Sequence, residues 1–211
     1  FIAEDLFAQN QRVVSIHAHD AIHFQQIIDE NGQWLKKEIN TSIGDNIWQH
    51  MVEKGKNEAL QNSLLSQFNI SAFIQADYQL IAQSQNFLWL GRGYPYRWLT
   101  FTSANSSHFL TVADAWKAIE KDLGSTMPQI NLLEILRSEE SVFIEGSSIR
   151  VMHGVYEHIE SETGGPFVIY LFDGHVENEV ILASGFVNNP GREKEPLLRQ
   201  LELTIQKMKF N

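Results

Sequence analysis

The chain has 211 residues, 43% of them hydrophobic and 20% charged, enough to bury a substantial core in one domain or two small lobes. Its formal net charge of -10 argues against a nucleic-acid partner, because binding a phosphate backbone relies on Lys and Arg displacing counterions, and here they are few and scattered. Nowhere does an apolar run reach the ~18 residues of a spanning helix, no basic amphipathic segment suggests a membrane-surface helix, and Cys is absent, which removes disulfides, thiol catalysis and Cys-based zinc sites. The first residue is Phe1 rather than Met, so a trimmed or mature fragment is expected, with any targeting signal upstream of it.

In chain order, Val13 to Ala18 reads as a short strand. Asp20 suits a helix N-cap for Ala21 to Glu30, with Asn31-Gly32 as the stop. Further helices are expected from Asp45 to Glu53, ending near Gly55, and from Asn57 to Gln67, where Leu60, Leu64 and Phe68 repeat every four residues. Four strands follow: Ser71 to Ile74, Leu80 to Gln83, Asn86 to Leu90 and Tyr96 to Thr102, with Gly91 to Pro95 as a hairpin turn. Thr111 to Leu123 reads as a helix stopped at Gly124, and a second strand block runs from Ile149 to Asn188, including Phe167 to Phe172 and Val180 to Val187. Pro196 opens a closing helix whose apolar stripe is Leu198, Leu201, Ile205 and Met208.

This order predicts the α+β class: an antiparallel sheet with helices packed on one face, in a single domain over residues 1–211. Strands followed by a helix occur twice, over 70–123 and 149–208, which suggests two related halves.

The stretch VVSIHAHDAIHF carries His17, His19 and His23. On a strand from Val13, His17 and His19 share one face, and with His23 or Asp20 as a third ligand they have zinc-like spacing. The simpler reading turns Val14, Ile16 and Ala18 inward and leaves the histidines as outward polar residues, with no metal and no cofactor. Other chemistries lack their motifs: there is no Gly-x-Ser-x-Gly elbow, no Gly-x-x-x-x-Gly-Lys loop, and Gly91-Arg-Gly93 lacks the third glycine of a dinucleotide loop. Glu139 and Glu140 are consecutive, so their side chains diverge on either kind of element, and solvated charge is the better reading.

The densest feature is NFLWLGRGYPYRWLTF, Asn86 to Phe101. Apolar residues on both faces make it a central strand pair whose rings are mostly core. At its turn, Arg92, Tyr94 and Tyr96 put a guanidinium and two rings near the surface, where aromatics with Arg suit ligand stacking. Arg199 joins them as a candidate anion contact if it faces a cleft rather than Glu202.

The segments FLWLGR (Phe87 to Arg92), EESVFIEG (Glu139 to Gly146), GGPFVIY (Gly164 to Tyr170) and GFVNNPGREKEPLLRQLE (Gly185 to Glu202) resemble a family of uncharacterised envelope lipoproteins from Bacteroidota, classified only as a domain of unknown function. Order and spacing agree over roughly the last two thirds of the chain, and LLRQLE after a Pro-Gly turn is the most specific part. The resemblance implies a lipid-modified Cys upstream of Phe1 as the sole membrane attachment, and a place in the periplasm or at the cell surface. It carries no catalytic residue, and the histidines lie outside it. Physically, Gly164-Gly165-Pro166 and Asn189-Pro190-Gly191 read as turns delivering a strand and the last helix.

The favoured function is a non-catalytic envelope domain that binds a protein, a glycan or a small ligand, with no nucleic-acid partner. The alternative is a metal-dependent hydrolase using His17 and His19. Clustering of those histidines with a third ligand would favour the second; dispersed histidines and a pocket would favour the first.

Overall fold

The computed structural model describes residues 1–8 and 10–211, and these form two compact units, Phe1–Glu53 and Lys54–Asn211.

The first unit is a hairpin and one long helix. β1 (Ile2–Glu4) pairs antiparallel with β2 (Arg12–Val14), with Ile2 opposite Val14. The expected strand from Val13 to Ala18 therefore ends at Val14, because β1 offers only three residues to pair with. α1 (Ala21–Glu53) is 33 residues long. Asp20 caps it as anticipated, its Oδ1 accepting from the His23 N–H at 2.8 Å. The stop at Asn31-Gly32 does not occur. Asn31 donates from Nδ2 back to the Ile27 carbonyl at 2.9 Å, and Gly32 keeps a negative φ, so the helix carries its glycine, whose intrinsic cost is only about 1 kcal/mol against Ala. The chain turns instead at Gly55, whose φ of +83° lies in the left-handed region just past Glu53.

In the second unit, α2 (Glu58–Phe68) starts where Asn57 Oδ1 accepts from the Leu60 N–H at 3.2 Å, and it buries the four-spaced Leu60, Leu64 and Phe68. β3 (Ile70–Ser71) is shorter than expected. β4 (Gln79–Ser84), β5 (Phe87–Arg92) and β6 (Tyr96–Asn105) make a meander. α3 (Val112–Thr126) follows, capped by Thr111 Oγ1 accepting from the Asp114 N–H at 3.1 Å, and it passes Gly124 before stopping. A second meander comprises β7 (Ile130–Ile144), β8 (Ser147–His158), β9 (Thr163–Asp173) and β10 (Glu179–Asn188). α4 (Glu195–Gln206) has Pro196 in its first turn, and β11 (Lys209–Phe210) returns to pair with β3. Sequence reading found no element at β7, whose middle is largely exposed and whose register to β8 shifts between Leu133 and Ser138, so the alternation is interrupted.

The seven long strands form one antiparallel sheet in the order β4-β5-β6-β10-β9-β8-β7, so the α+β class and the antiparallel sheet are as expected. The helices, however, cover both faces rather than one. Leu88, Leu90, Leu99, Phe101, Val168 and Ala183 pack with Leu64 of α2 and with Leu201 and Ile205 of α4. Their strand neighbours Phe87, Trp89, Phe167, Ile169, Leu182 and Phe186 pack on the other side with Trp116, Ile119 and Leu123 of α3. Two covered faces are what the unbroken apolar runs of β5, β9 and β10 require, since alternate side chains enter opposite layers.

Candidate functional site

The structure separates the residues that sequence reading grouped at the β5–β6 turn. Arg92 and Arg97 sit directly opposite each other on paired strands and point to the α4 side of the sheet. Arg92 is mostly buried: its Nη1 donates to Gln75 Oε1 at 2.9 Å, it is ion-paired with Asp77, and its guanidinium lies 5.7 Å from the Tyr78 ring centroid. Arg97 is buried and donates to Gln200 Oε1. Burial lowers the Arg97 pKa against the pull of Tyr78, and burial raises that of the Tyr78 phenol. Tyr94 and Tyr96 are exposed and meet edge to face, their centroids 6.0 Å apart. Arg199 lies on α4, 3.8 Å from Glu202. Most other rings of the aromatic stretch are core: Phe87, Trp89 and Phe101 are buried.

The histidines do not assemble a metal centre of the kind a hydrolase would need. His17 lies in the extended segment between β2 and α1. The His19 and His23 rings stack with centroids 5.1 Å apart, and His23 Nδ1 accepts from the His19 N–H at 3.3 Å, which occupies one of the lone pairs a metal would take. Among the described residues no three His, Asp or Glu side chains group to hold a metal ion.

What the structure does assemble lies where β8 ends and β9 begins. A cleft of about 640 Å³ is lined by the apolar Leu133, Val155, Ile159 and Pro166 and by the polar Glu157, His158, Glu162, Thr163 and Lys194. That is within the ~300–1,000 Å³ typical of small-molecule sites. Its shape depends on two glycines. A Cβ on Gly164 would stand 2.1 Å from the Tyr156 carbonyl oxygen, and one on Gly165 would stand 1.9 Å from the Val187 carbonyl oxygen, so only glycine lets β9 enter between β8 and β10 this closely.

Buried polar atoms concentrate around that entry. Tyr156 Oη, His158 Nδ1, Asn188 Oδ1 and Asn189 Oδ1 are all buried without a hydrogen-bond partner in the chain. Native proteins leave few such atoms, so four in one neighbourhood call for an explanation. Tyr156 packs its ring against Trp98 and Phe186, at 5.8 and 5.5 Å between centroids. Burial raises its pKa, so the phenol stays protonated. Thr163 is tied into a network of neutral groups: its Oγ1 accepts from Asn188 Nδ2 at 2.8 Å and meets the Ser161 hydroxyl at 2.7 Å. With no base among those partners, its hydroxyl is not set up as a nucleophile. Lys194 donates to the Arg192 carbonyl at 3.3 Å, which leaves ammonium protons to spare for the cleft.

Sequence reading assigned Gly164-Gly165-Pro166 and Asn189-Pro190-Gly191 to turns and missed the cleft between them. The usable signal was the pair of adjacent glycines at a strand entrance, which marks close backbone approach.

A seven-stranded antiparallel sheet covered by helices on both faces defines the class of this domain. Residues 120–207 match a family described as Domain of unknown function (DUF4837), a span that contains every residue named in the cleft. No curated protein matches the chain. Among solved structures it is similar to the Ran-binding protein Mog1p of Saccharomyces cerevisiae, with 9% identity, 67% of this chain and 89% of that one covered, and a TM-score of 0.45. A point mutant of the protein Mog1 gives the same identity and TM-score with 90% of its chain covered. A crystal structure from Bacteroides thetaiotaomicron VPI-5482 matches at 11% identity over 67% of this chain and 45% of that one, with a TM-score of 0.29.

Proposed function

We propose that this is a non-catalytic ligand-binding domain of the bacterial cell envelope, and that the cleft between the end of β8 and the start of β9 is its site. One observation carries the reading. GGPFVIY and GFVNNPGREKEPLLRQLE, both part of the resemblance to envelope lipoproteins, supply the two glycines and Lys194 of one cleft. His158, Thr163 and Lys194 line the cleft with polar groups, Tyr156 and His158 carry buried atoms without a partner in the chain, and Leu133, Val155 and Pro166 offer an apolar wall. A small ligand or a chain end with an apolar body and a few polar groups fits this lining, and an acidic group on it would meet Lys194. The same resemblance supports a precursor carried on the membrane by a lipid-modified Cys upstream of Phe1.

The binding reading is tested by ¹H–¹⁵N NMR against a fragment library, short peptides and oligosaccharides. Specific binders should shift the resonances of Thr163, Gly164, Gly165 and Lys194 together, and Lys194→Ala should weaken the acidic ones. Binders that map elsewhere, or none at millimolar concentration from any of the three sets, would refute the site. The anchoring reading is tested by fractionating cells that express the natural precursor: it should sediment with membranes and become soluble when its upstream Cys is replaced by Ser.

A further inference from the structure

A second cavity opens at the far end of the sheet. It lies beside α3, about 250 Å³ in volume, and its apolar wall is made by Ala104, Phe109, Ala118 and Leu182. Leu182 lies five positions before Val187, whose carbonyl faces Gly165 of the cleft, so the two sites are roughly 17 Å apart along β10. On α3 the residues Ala118, Asp122 and Ser125 follow at the i, i+4, i+7 spacing of one helical stripe, and all three line the cavity.

Asp122 is the polar group within that wall. It is half-buried, and its Oδ2 accepts from Thr102 Oγ1 at a long 3.2 Å. Among the described residues no Lys, Arg or His forms an ion pair with it. A carboxylate removed from water with one neutral hydroxyl partner is under-compensated, and burial raises its pKa accordingly. Two exposed side chains, Lys121 and His108, also line the cavity. One cavity thus brings together a half-buried carboxylate, an apolar wall and, at exposed positions, a lysine and a histidine.

We propose that this cavity binds a small zwitterion with an apolar side group, an amino acid of about leucine's size, through its ammonium on Asp122 and its carboxylate on Lys121 and His108. The apolar wall receives the side group, and a cavity of about 250 Å³, just below the ~300–1,000 Å³ of drug-sized sites, suits a ligand no larger than an amino acid. An ammonium supplies the charge-assisted hydrogen bonds that Asp122 lacks, and a ligand carboxylate pairs with the Lys121 ammonium, which would repel a simple amine. This site is independent of the β8–β9 cleft, and its failure would leave that reading untouched.

The test is a titration of the intact chain with L-leucine, isoamylamine and 4-methylpentanoate, followed by ¹H–¹⁵N NMR. Leucine should perturb Ala118, Asp122 and Leu182, with either single-charge analogue weaker by about tenfold or more. Asp122→Asn should weaken leucine binding roughly 10- to 100-fold, and Lys121→Ala should weaken leucine while strengthening isoamylamine, whose ammonium it no longer repels. Thermal melting of both variants checks that they remain folded. Isoamylamine binding as tightly as leucine, leucine binding unaffected by Asp122→Asn, or no perturbation at these residues by leucine at tens of millimolar would each overturn the proposal.

Discussion

Replacing Gly165 by Ala should cripple the second unit out of proportion to the single carbon it adds. The new Cβ would stand 1.9 Å from the Val187 carbonyl oxygen, whereas real Cβ atoms essentially never approach a heavy atom closer than 3.0 Å, so the strands must separate locally by more than 1 Å. The obstacle is backbone, and Val187 is itself fully buried with its neighbours Phe186 and Asn188 also buried, so no flexible side chain can give way. Overpacking of a tight core costs about 1–3 kcal/mol, and a backbone clash belongs at the upper end, near ~3 kcal/mol. At about 2–4 °C per kcal/mol for a chain of this size, the melting temperature should fall by roughly 6–12 °C. Circular dichroism melts measure this, with Gly124→Ala as the matched control: nothing lies within 4 Å of a Cβ there, and the position is helical, so that substitution should stabilise by about 1 kcal/mol. If Gly165→Ala melted within a degree or two of the parent, the close approach of β9 to β10 would not be a feature of the molecule in solution, and the cleft built on it would lose its frame.

Asp122→Asn should raise stability at pH 7, because burial raises the carboxyl pKa and the folded chain therefore bears the cost of an ionised, under-solvated group that the unfolded chain does not. The folded form holds its proton more tightly, so the parent loses stability as pH climbs from the ordinary carboxylate range towards the raised folded value; the advantage of Asn should shrink as pH falls towards about 4, and urea midpoints that differ equally at both pH values would contradict this. Asp77→Asn should cost about 1–2 kcal/mol, more than an exposed pair and less than a buried one, since it leaves Arg92 facing Arg97 without a carboxylate. A double-mutant cycle with Arg97→Met should recover part of the loss, and strict additivity would show that the two guanidiniums do not sense each other. Elemental mass spectrometry should give the same metal content for the parent and for the His17→Ala, His19→Ala double variant; near-stoichiometric metal lost in the variant would overturn the reading of these histidines.

What the sequence disclosed and what it hid follow one physical division. Elements whose signal is local were readable: the Asp20 cap, the four-spaced Leu60, Leu64 and Phe68 of α2, and the apolar runs of β5, β9 and β10. Where a tertiary or cooperative effect outweighs a local preference, reading failed. Asn31-Gly32 is a good local stop, yet a helix already propagating through it loses less by carrying the glycine than by ending and renucleating. β7 has weak alternation because it is the sheet edge, and its existence is decided by β8 beside it, from Ile130 opposite His158 to Ile144 opposite Ser147.

The sites follow the same division. Arg92, Tyr94 and Tyr96 are neighbours in sequence and looked like one surface, but alternation along β5 and β6 sends Arg92 into a buried network with Gln75 and Asp77 and leaves the two tyrosines in solvent. Conversely, Gly164, Gly165 and Asn189 each had an adequate local explanation as turn formers, and only the β8-β9-β10 register places them beside Tyr156 and Lys194. A turn needs glycine for its φ, and these glycines do not have the positive φ that such a turn would demand; what they need is the absence of a Cβ facing a neighbouring carbonyl. Gly-Gly at a strand entrance is thus two different demands written with the same letters, and the one that builds the cleft can be recognised only once the partner strands are known.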